Sequence, residues 1–177
     1  MHKRYLLIDR DGTLIAEKDN LHDPAGVVII PGAIEVLSEF VQAGWGIIVV
    51  TNQSGIARGI FSVEQMHQVH DRIAKDLEPH GIKIEKFYFC PHAPEISKCT
   101  CRKPNTGMVD LAVSELNFDP TQSLMVGDKG IDIQLGKNIG AKTVLVLTGY
   151  GSKARDLADT HPDYIIESLA QLSLEMA

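Results

Sequence analysis

The amino-acid sequence predicts an α/β protein built on a doubly wound parallel sheet, and three observations carry that prediction. Apolar runs of strand length alternate with amphipathic stretches from residue 5 to residue 147. The strand runs are apolar almost throughout, as expected of strands covered by helices on both faces. Chemically distinctive residues, Asp9, Thr51-Asn52 and Asp128, close three of the runs, and open parallel sheets bind ligands beyond the carboxyl ends of their strands.

YLLID (5–9) reads as a short buried strand. AIEVLSEFVQA (33–43) places Ile34, Leu37, Phe40 and Val41 on one helical face, with Gly44 as the C-terminal stop. GIIVVTN (46–52), rich in β-branched residues, is the second strand. Ser62 and Gln65 make a capping box before a helix striped with Met66, Val69, Ile73 and Leu77. IEKFYF (84–89) is strand three, and Val109, Ala112, Val113 and Leu116 repeat the helical spacing. SLMVGD (123–128), a helix over IDIQLGKNIG (131–140) and KTVLVL (142–147) follow. DYII (163–166) is expected to add an edge strand before a C-terminal helix.

The 177 residues fit one domain, 1–177, since no repeat, low-complexity segment or Gly/Ser linker divides them. A formal net charge of −6 argues against nucleic acid as a partner. No apolar run approaches the roughly 20 residues needed to cross a bilayer, and YLLI is too short for the core of a signal peptide. A cytoplasmic monomer acting on a small metabolite, with no membrane association, is the expectation. His2, His22, His67, His70, His80 and His161 are expected at the surface, His22 alone lying near the proposed site.

The chemistry begins at Asp9-Arg10-Asp11-Gly12-Thr13. Two carboxylates separated by one residue can point the same way, and Gly12 permits a tight turn out of the strand. One carboxylate can attack an electrophile while the other moves protons to the leaving group and from water. A polar strand end with an Asx turn at Asp11-Gly12 is the plainer alternative. Together with TN at 51–52, RKP at 102–104 and GDKGID at 127–132, the DRDGT stretch resembles the haloacid-dehalogenase-like (HAD) phosphatase superfamily.

That resemblance implies a Rossmann-like HAD fold and a Mg2+-dependent phosphomonoesterase. Asp9 would be the nucleophile that takes the phosphoryl group, and Asp11 the general acid/base. Thr51 and Lys103 would hold phosphoryl oxygens, while Mg2+ would be bound by Asp128, the Asp9 carboxylate and the Asp11 backbone carbonyl. Asp132, four residues after Asp128 and on the same face if a helix begins there, is read as a partner of the metal or of Lys129, with a favourable first-turn helix charge as the plainer alternative. Lys129 either touches substrate phosphate or is a solvated surface lysine. Arg10, Asn52, Gln53, Ser54, Arg102 and the 17–20 segment with Glu17 and Asn20 would bind substrate. Electrostatics makes the same demand: a phosphate monoester dianion brought to a carboxylate meets roughly 4 kcal/mol of repulsion per like-charge pair at about 4 Å and an effective dielectric near 20. A hard divalent cation, a lysine and a hydroxyl offset it.

All three cysteines lie between residues 90 and 101. Cys90, His92, Cys99 and Cys101 form a Cys3His set suited to closed, tetrahedral structural zinc. A redox pair at Cys99/Cys101 and inert buried thiols are the alternatives. Four ties across a loop at 90–101 would present Arg102 and Lys103 rigidly, without chemistry at the metal. TNQSGIARGIFS (51–62), CPHAP (90–94) and CRKPNTGM (101–108) resemble the subgroup containing D-glycero-D-manno-heptose-1,7-bisphosphate 7-phosphatase and histidinol-phosphate phosphatase. Neither the Asp11–Thr51 nor the Thr51–Lys103 interval leaves room for a large cap, so an open cleft is expected. Two readings from other classes are a phospho-accepting receiver-like domain and a zinc-stabilised interaction module without activity.

Overall fold

The structure, a computed structural model, describes residues 3–157 and 161–177. Its strands are β1 (Tyr5–Ile8), β2 (Gly46–Asn52), β3 (Ile84–Cys90), β4 (Leu124–Gly127), β5 (Lys142–Val146) and β6 (Tyr164–Ile166). They form one six-stranded sheet in the order β3-β2-β1-β4-β5-β6, with every pairing parallel. The order reverses direction between β1 and β4, which places the topological switch point between Asp9 and Asp128.

Alternation along the strands sorts the core into two layers. Leu6, Ile8, Val49 and Val126 face α1 (Ala33–Gln42) and α2 (Val63–Leu77), in a cluster with Leu37, Phe40, Val69 and Ile73. Leu7, Ile48, Val50 and Met125 face the opposite way, toward Met108, Val109 and Ala112 of α3 (Gly107–Leu116) and Leu135 of α4 (Gly130–Asn138). The expected double winding is present, without a large cap. The segment after β1 stays close to the sheet, pinned by isolated bridges between Asp11 and Ile15 and between Ile15 and Ile29.

The capping box of Ser62 and Gln65 forms in both directions, and Gly44 adopts a φ of 84° just after α1. Four expectations need correction. The buried stripe of α1 is Ala33, Val36, Leu37 and Phe40, with Ile34 and Val41 only partly buried at its edges. Among the described residues no C-terminal helix forms: Leu169 and Leu172 both enter the core, and Leu172 turns to extended backbone at ψ 139°, between 3-10 turns at Leu169–Gln171 and Leu174–Met176. A short helix, α5 (Gly151–Arg155), was not foreseen because GSKAR carries no apolar period. His70 is buried at 3% exposure, on the α2 face that meets the sheet. His67, His80 and His161 are exposed and His22 is half-buried, while His2 lies outside the described residues.

Phe40, fully buried, meets Trp45 edge-on with ring centroids 5.4 Å apart. Phe40→Ala should lose about 3–5 kcal/mol of stability, read as a lower urea midpoint at unchanged slope.

Candidate active site

The site is built where β1 and β4 part. Asp9 extends the β1 ladder by one bond, its N–H donating to Val126 O at 2.9 Å. The chain then turns through Gly12 at φ 82°, where a Cβ would collide with Asp128 Oδ2. Gly149 crowds the same oxygen from the loop after β5, and a side chain there would collide equally. That loop also fastens the turn: Thr148 Oγ1 donates to Gly12 O at 2.6 Å, and Tyr150 N donates to Asp128 Oδ2 at 2.8 Å. Thr148, Gly149 and Tyr150 were absent from the sequence reading. The Gly-flanked TGYG directly after the fifth strand was the available signal, by the rule that sites collect at strand ends.

Lys103 is buried in this crevice. Its Nζ lies 2.7 Å from Asp9 Oδ1, 2.7 Å from Asp132 Oδ1 and 2.8 Å from Val50 O. Asp132 Oδ2 accepts from Lys129 N at 3.0 Å, so both its oxygens are engaged by protein groups. Asp128 Oδ1 is buried without a hydrogen-bond partner among the described residues, with Lys129 Nζ at 3.4 Å. Asp9, Asp128 and Asp132 each offer a carboxylate oxygen, all within 4.8 Å of one another.

Burial would raise Asp9, but the ammonium groups of Lys103 and Lys129 outweigh it and hold its carboxyl below the ordinary range. Burial, reinforced by the charge of Asp9, pushes Asp128 up to about 7. Asp132 rises to about 6, again through burial, with Lys103 opposing. The lysines therefore do not by themselves keep all three acids ionised at neutral pH. A cation with a preference for oxygen ligands fits this donor set, and the unpartnered Asp128 Oδ1 is the clearest place for it.

Asp11 has a different environment. Arg10, 1% exposed, forks its carboxylate with Nε to Oδ2 at 3.0 Å and Nη2 to Oδ1 at 3.1 Å. Gln53 completes a triangle, donating from Nε2 to Asp11 Oδ2 at 2.9 Å while its Oε1 accepts from Arg10 Nη2 at 3.1 Å. The same Gln53 Nε2 donates to Thr51 Oγ1 at 2.8 Å. Arg10 Nε and Nη2 and the Gln53 amide thus line the crevice but are engaged with Asp11, Thr51 and each other. Asn52 is likewise engaged, its side chain pairing both backbone groups of Lys103 at 3.0 and 3.3 Å.

The crevice above these groups, about 270 Å3, is bounded by Glu17, Asn20, Ser54, Arg58, Arg102 and Tyr150. Lys129 is half-buried at its edge, 3.6 Å from Glu17 and over the Tyr150 ring at 4.9 Å. Burial would lower Lys129; the charges of Asp9, Asp128 and Glu17 raise it.

Behind Arg102 and Lys103 the sulfurs of Cys90, Cys99 and Cys101 and His92 Nδ1 converge. Cys90 Sγ lies 3.6 Å from Cys99 Sγ and 3.1 Å from Cys101 Sγ, and His92 Nδ1 lies 3.3 Å from Cys101 Sγ. A tetrahedral ion with sulfur bonds of about 2.3 Å has sulfur–sulfur edges of roughly 3.8 Å, close to this packing. No disulfide joins the three cysteines. Arg102 Nη1 donates to His92 O at 3.1 Å, which ties the loop to the crevice wall.

The HAD-hydrolase-like family model matches residues 100–172. D-glycero-beta-D-manno-heptose-1,7-bisphosphate 7-phosphatase of Pasteurella multocida is 39% identical over 176 residues, covering 96% of this chain and 95% of its own. D-glycero-D-manno-heptose-1,7-bisphosphate 7-phosphatase of Thermosynechococcus vestitus is 36% identical, covering 96% and 93%. The D,D-heptose 1,7-bisphosphate phosphatase of B. bronchiseptica, solved with magnesium and phosphate, superposes with a TM-score of 0.84 at 30% identity, over 94% of each chain. Fold and near-full-length identity agree: the chain belongs to the haloacid-dehalogenase-like phosphatases, in the family of the D-glycero-D-manno-heptose-1,7-bisphosphate 7-phosphatases.

Proposed function

We propose that the chain removes the 7-phosphate of D-glycero-D-manno-heptose 1,7-bisphosphate through a phosphoaspartate at Asp9. The carrying observation is the buried set of Asp9, Asp128, Asp132 and Lys103 at the switch point, in a chain 39% identical to a relative named for that activity. Asp128 and Asp9, with the Asp11 backbone carbonyl, would hold magnesium, which would supply positive charge to the phosphoryl oxygens. Asp132, both oxygens engaged, holds Lys103 and the Lys129 backbone.

In the first step an Asp9 carboxylate oxygen bonds to phosphorus as the bond to the sugar oxygen breaks. That oxygen leaves with the electron pair and takes a proton from Asp11. In the second step Asp11, now a carboxylate, accepts a proton from water while the water oxygen attacks phosphorus, freeing Asp9. Lys103 and the Thr51 hydroxyl meet the charge that builds on the equatorial oxygens. Glu17, Asn20, Ser54 and Arg102 bind the sugar side.

We assign zinc to the Cys90, His92, Cys99 and Cys101 set, in a structural role, since four protein ligands close the coordination sphere. Burial pushes the Cys90 thiol up to about 12, and a metal must displace that proton on binding. Thiols reserved for a metal fit a reducing compartment, the cytoplasm.

Turnover of heptose bisphosphate should exceed that of histidinol phosphate by at least about tenfold in kcat/KM, a difference of about 1.4 kcal/mol; parity or reversal overturns the substrate. Asp9→Asn should fold normally and lose hydrolysis by roughly a thousandfold or more, checked by phosphate release. Stoichiometric release that stops after one phosphate per chain would indicate a receiver-like acceptor instead. Cys101→Ser should lower bound zinc, measured by elemental analysis, and shift thermal unfolding downward together with kcat.

A further inference from the structure

α2 carries a buried titratable side chain that the reaction leaves without a task. His70 is 3% exposed, and neither ring nitrogen has a hydrogen-bond partner among the described residues. Arg10 Nη1 is buried and unpartnered in the same way, although Nε and Nη2 hold Asp11 and Gln53.

Strand register brings the two side chains to one place. Ile8, Val49 and Phe87 are aligned across β1, β2 and β3 on the face covered by α2. Two residues further along, Thr51 and Phe89 are aligned on that face, and the Gln53 amide that donates to Thr51 Oγ1 also accepts from Arg10 Nη2 through its oxygen. Arg10 Nη2 also reaches Leu21 O at 3.5 Å, and Leu21 belongs to the core layer of α2. His70 stacks on Phe87 with centroids 4.4 Å apart and meets Phe89 at 6.4 Å, so its ring lies over this row. The ionisable groups acting on it are Arg10, the stronger, and His67, whose ring centroid is 6.0 Å away on the same helix.

We infer that His70 is a positioning residue for proton transfer: a neutral imidazole whose lone pair faces the Arg10 guanidinium and steadies the fork that Arg10 makes on Asp11. The inference rests on the reading of Asp11 as the acid/base. A guanidinium always carries its charge, so an imidazolium beside it in a poorly solvated layer is strongly disfavoured. Burial first, then Arg10, takes His70 down to about 3, and the ring stays neutral across the working pH range. The lone pair of a neutral ring is then the polar feature available to the cation, and the stacked phenyl of Phe87 fixes the ring plane.

The test uses two leaving groups. A sugar oxygen needs a proton as it departs, whereas 4-nitrophenolate departs without one. In His70→Leu, kcat/KM for the heptose bisphosphate should fall about tenfold while kcat/KM for 4-nitrophenyl phosphate stays within about twofold. His70→Gln, which keeps a neutral acceptor, should recover most of the loss. In the unaltered protein, 15N signals of His70 should stay those of a neutral imidazole from pH 5 to 8, a measurement that needs no variant. Equal losses with both substrates, no loss with either, or titration near 6.5 would overturn the inference. Asp11→Asn separates the two layers of the argument. If it shows no leaving-group dependence, the acid/base reading fails; if it does and His70→Leu does not, the positioning role alone fails.

Discussion

Lys103 Nζ, held 2.7 Å from Asp9 and 2.7 Å from Asp132 inside the protein, is the interaction on which the site depends. Three acids share this pocket, and each pair of like charges at about 4 Å repels by roughly 4 kcal/mol at an effective dielectric near 20. A lysine placed between two of them turns part of that repulsion into attraction and holds the Asp9 carboxyl below the ordinary range. The burden of placing it falls on groups outside the pocket. Asn52 clasps the Lys103 backbone from the end of β2, Arg102 ties to His92, and the Cys3His knot closes the loop behind them. The Cys3His loop and the crevice are in this sense one mechanical unit.

Asp9 and Asp11 illustrate how neighbours in sequence acquire separate duties. Asp9 is 4% exposed and faces a lysine across a dry contact. Asp11, half-buried on the other side of the turn, is held by Arg10 and Gln53 in a hydrogen-bonded triangle at the edge of the crevice. The turn that separates them exists because Gly12 and Gly149 lie against Asp128 with no room for a Cβ. The close approach of three backbone segments is therefore a precondition of the different surroundings of the two carboxylates.

Much of the fold was legible because its signals are local. The capping box at Ser62 and Gln65, the stop at Gly44 and the apolar strand runs each report on a few consecutive residues. The C-terminal segment misled because Leu169 and Leu172 have helical spacing, yet both are drawn into one core layer while the backbone extends at Leu172 between turns. In the site, Asp9, Asp128, Lys103 and the four soft ligands were readable from motif and spacing, and the structure brings them together. Arg10, Asn52 and Gln53 were identified as site residues, but the groups they hold, Asp11, Lys103 and Thr51, could be known only once three strands were aligned.

By itself the sequence determined which residue types stand at the strand ends and which stretches become strands or helices, since both follow from short-range pattern and side-chain chemistry. It also determined that every thiol lies in one loop beside Arg102 and Lys103. Only the tertiary structure decided that Asp132 binds Lys103, that the loop after β5 closes the floor at Asp128, and that His70 lies inside, stacked on Phe87. Those are contacts between residues far apart in the chain, and their geometry is set by parallel register and by the helices that cover each face, which no local pattern encodes.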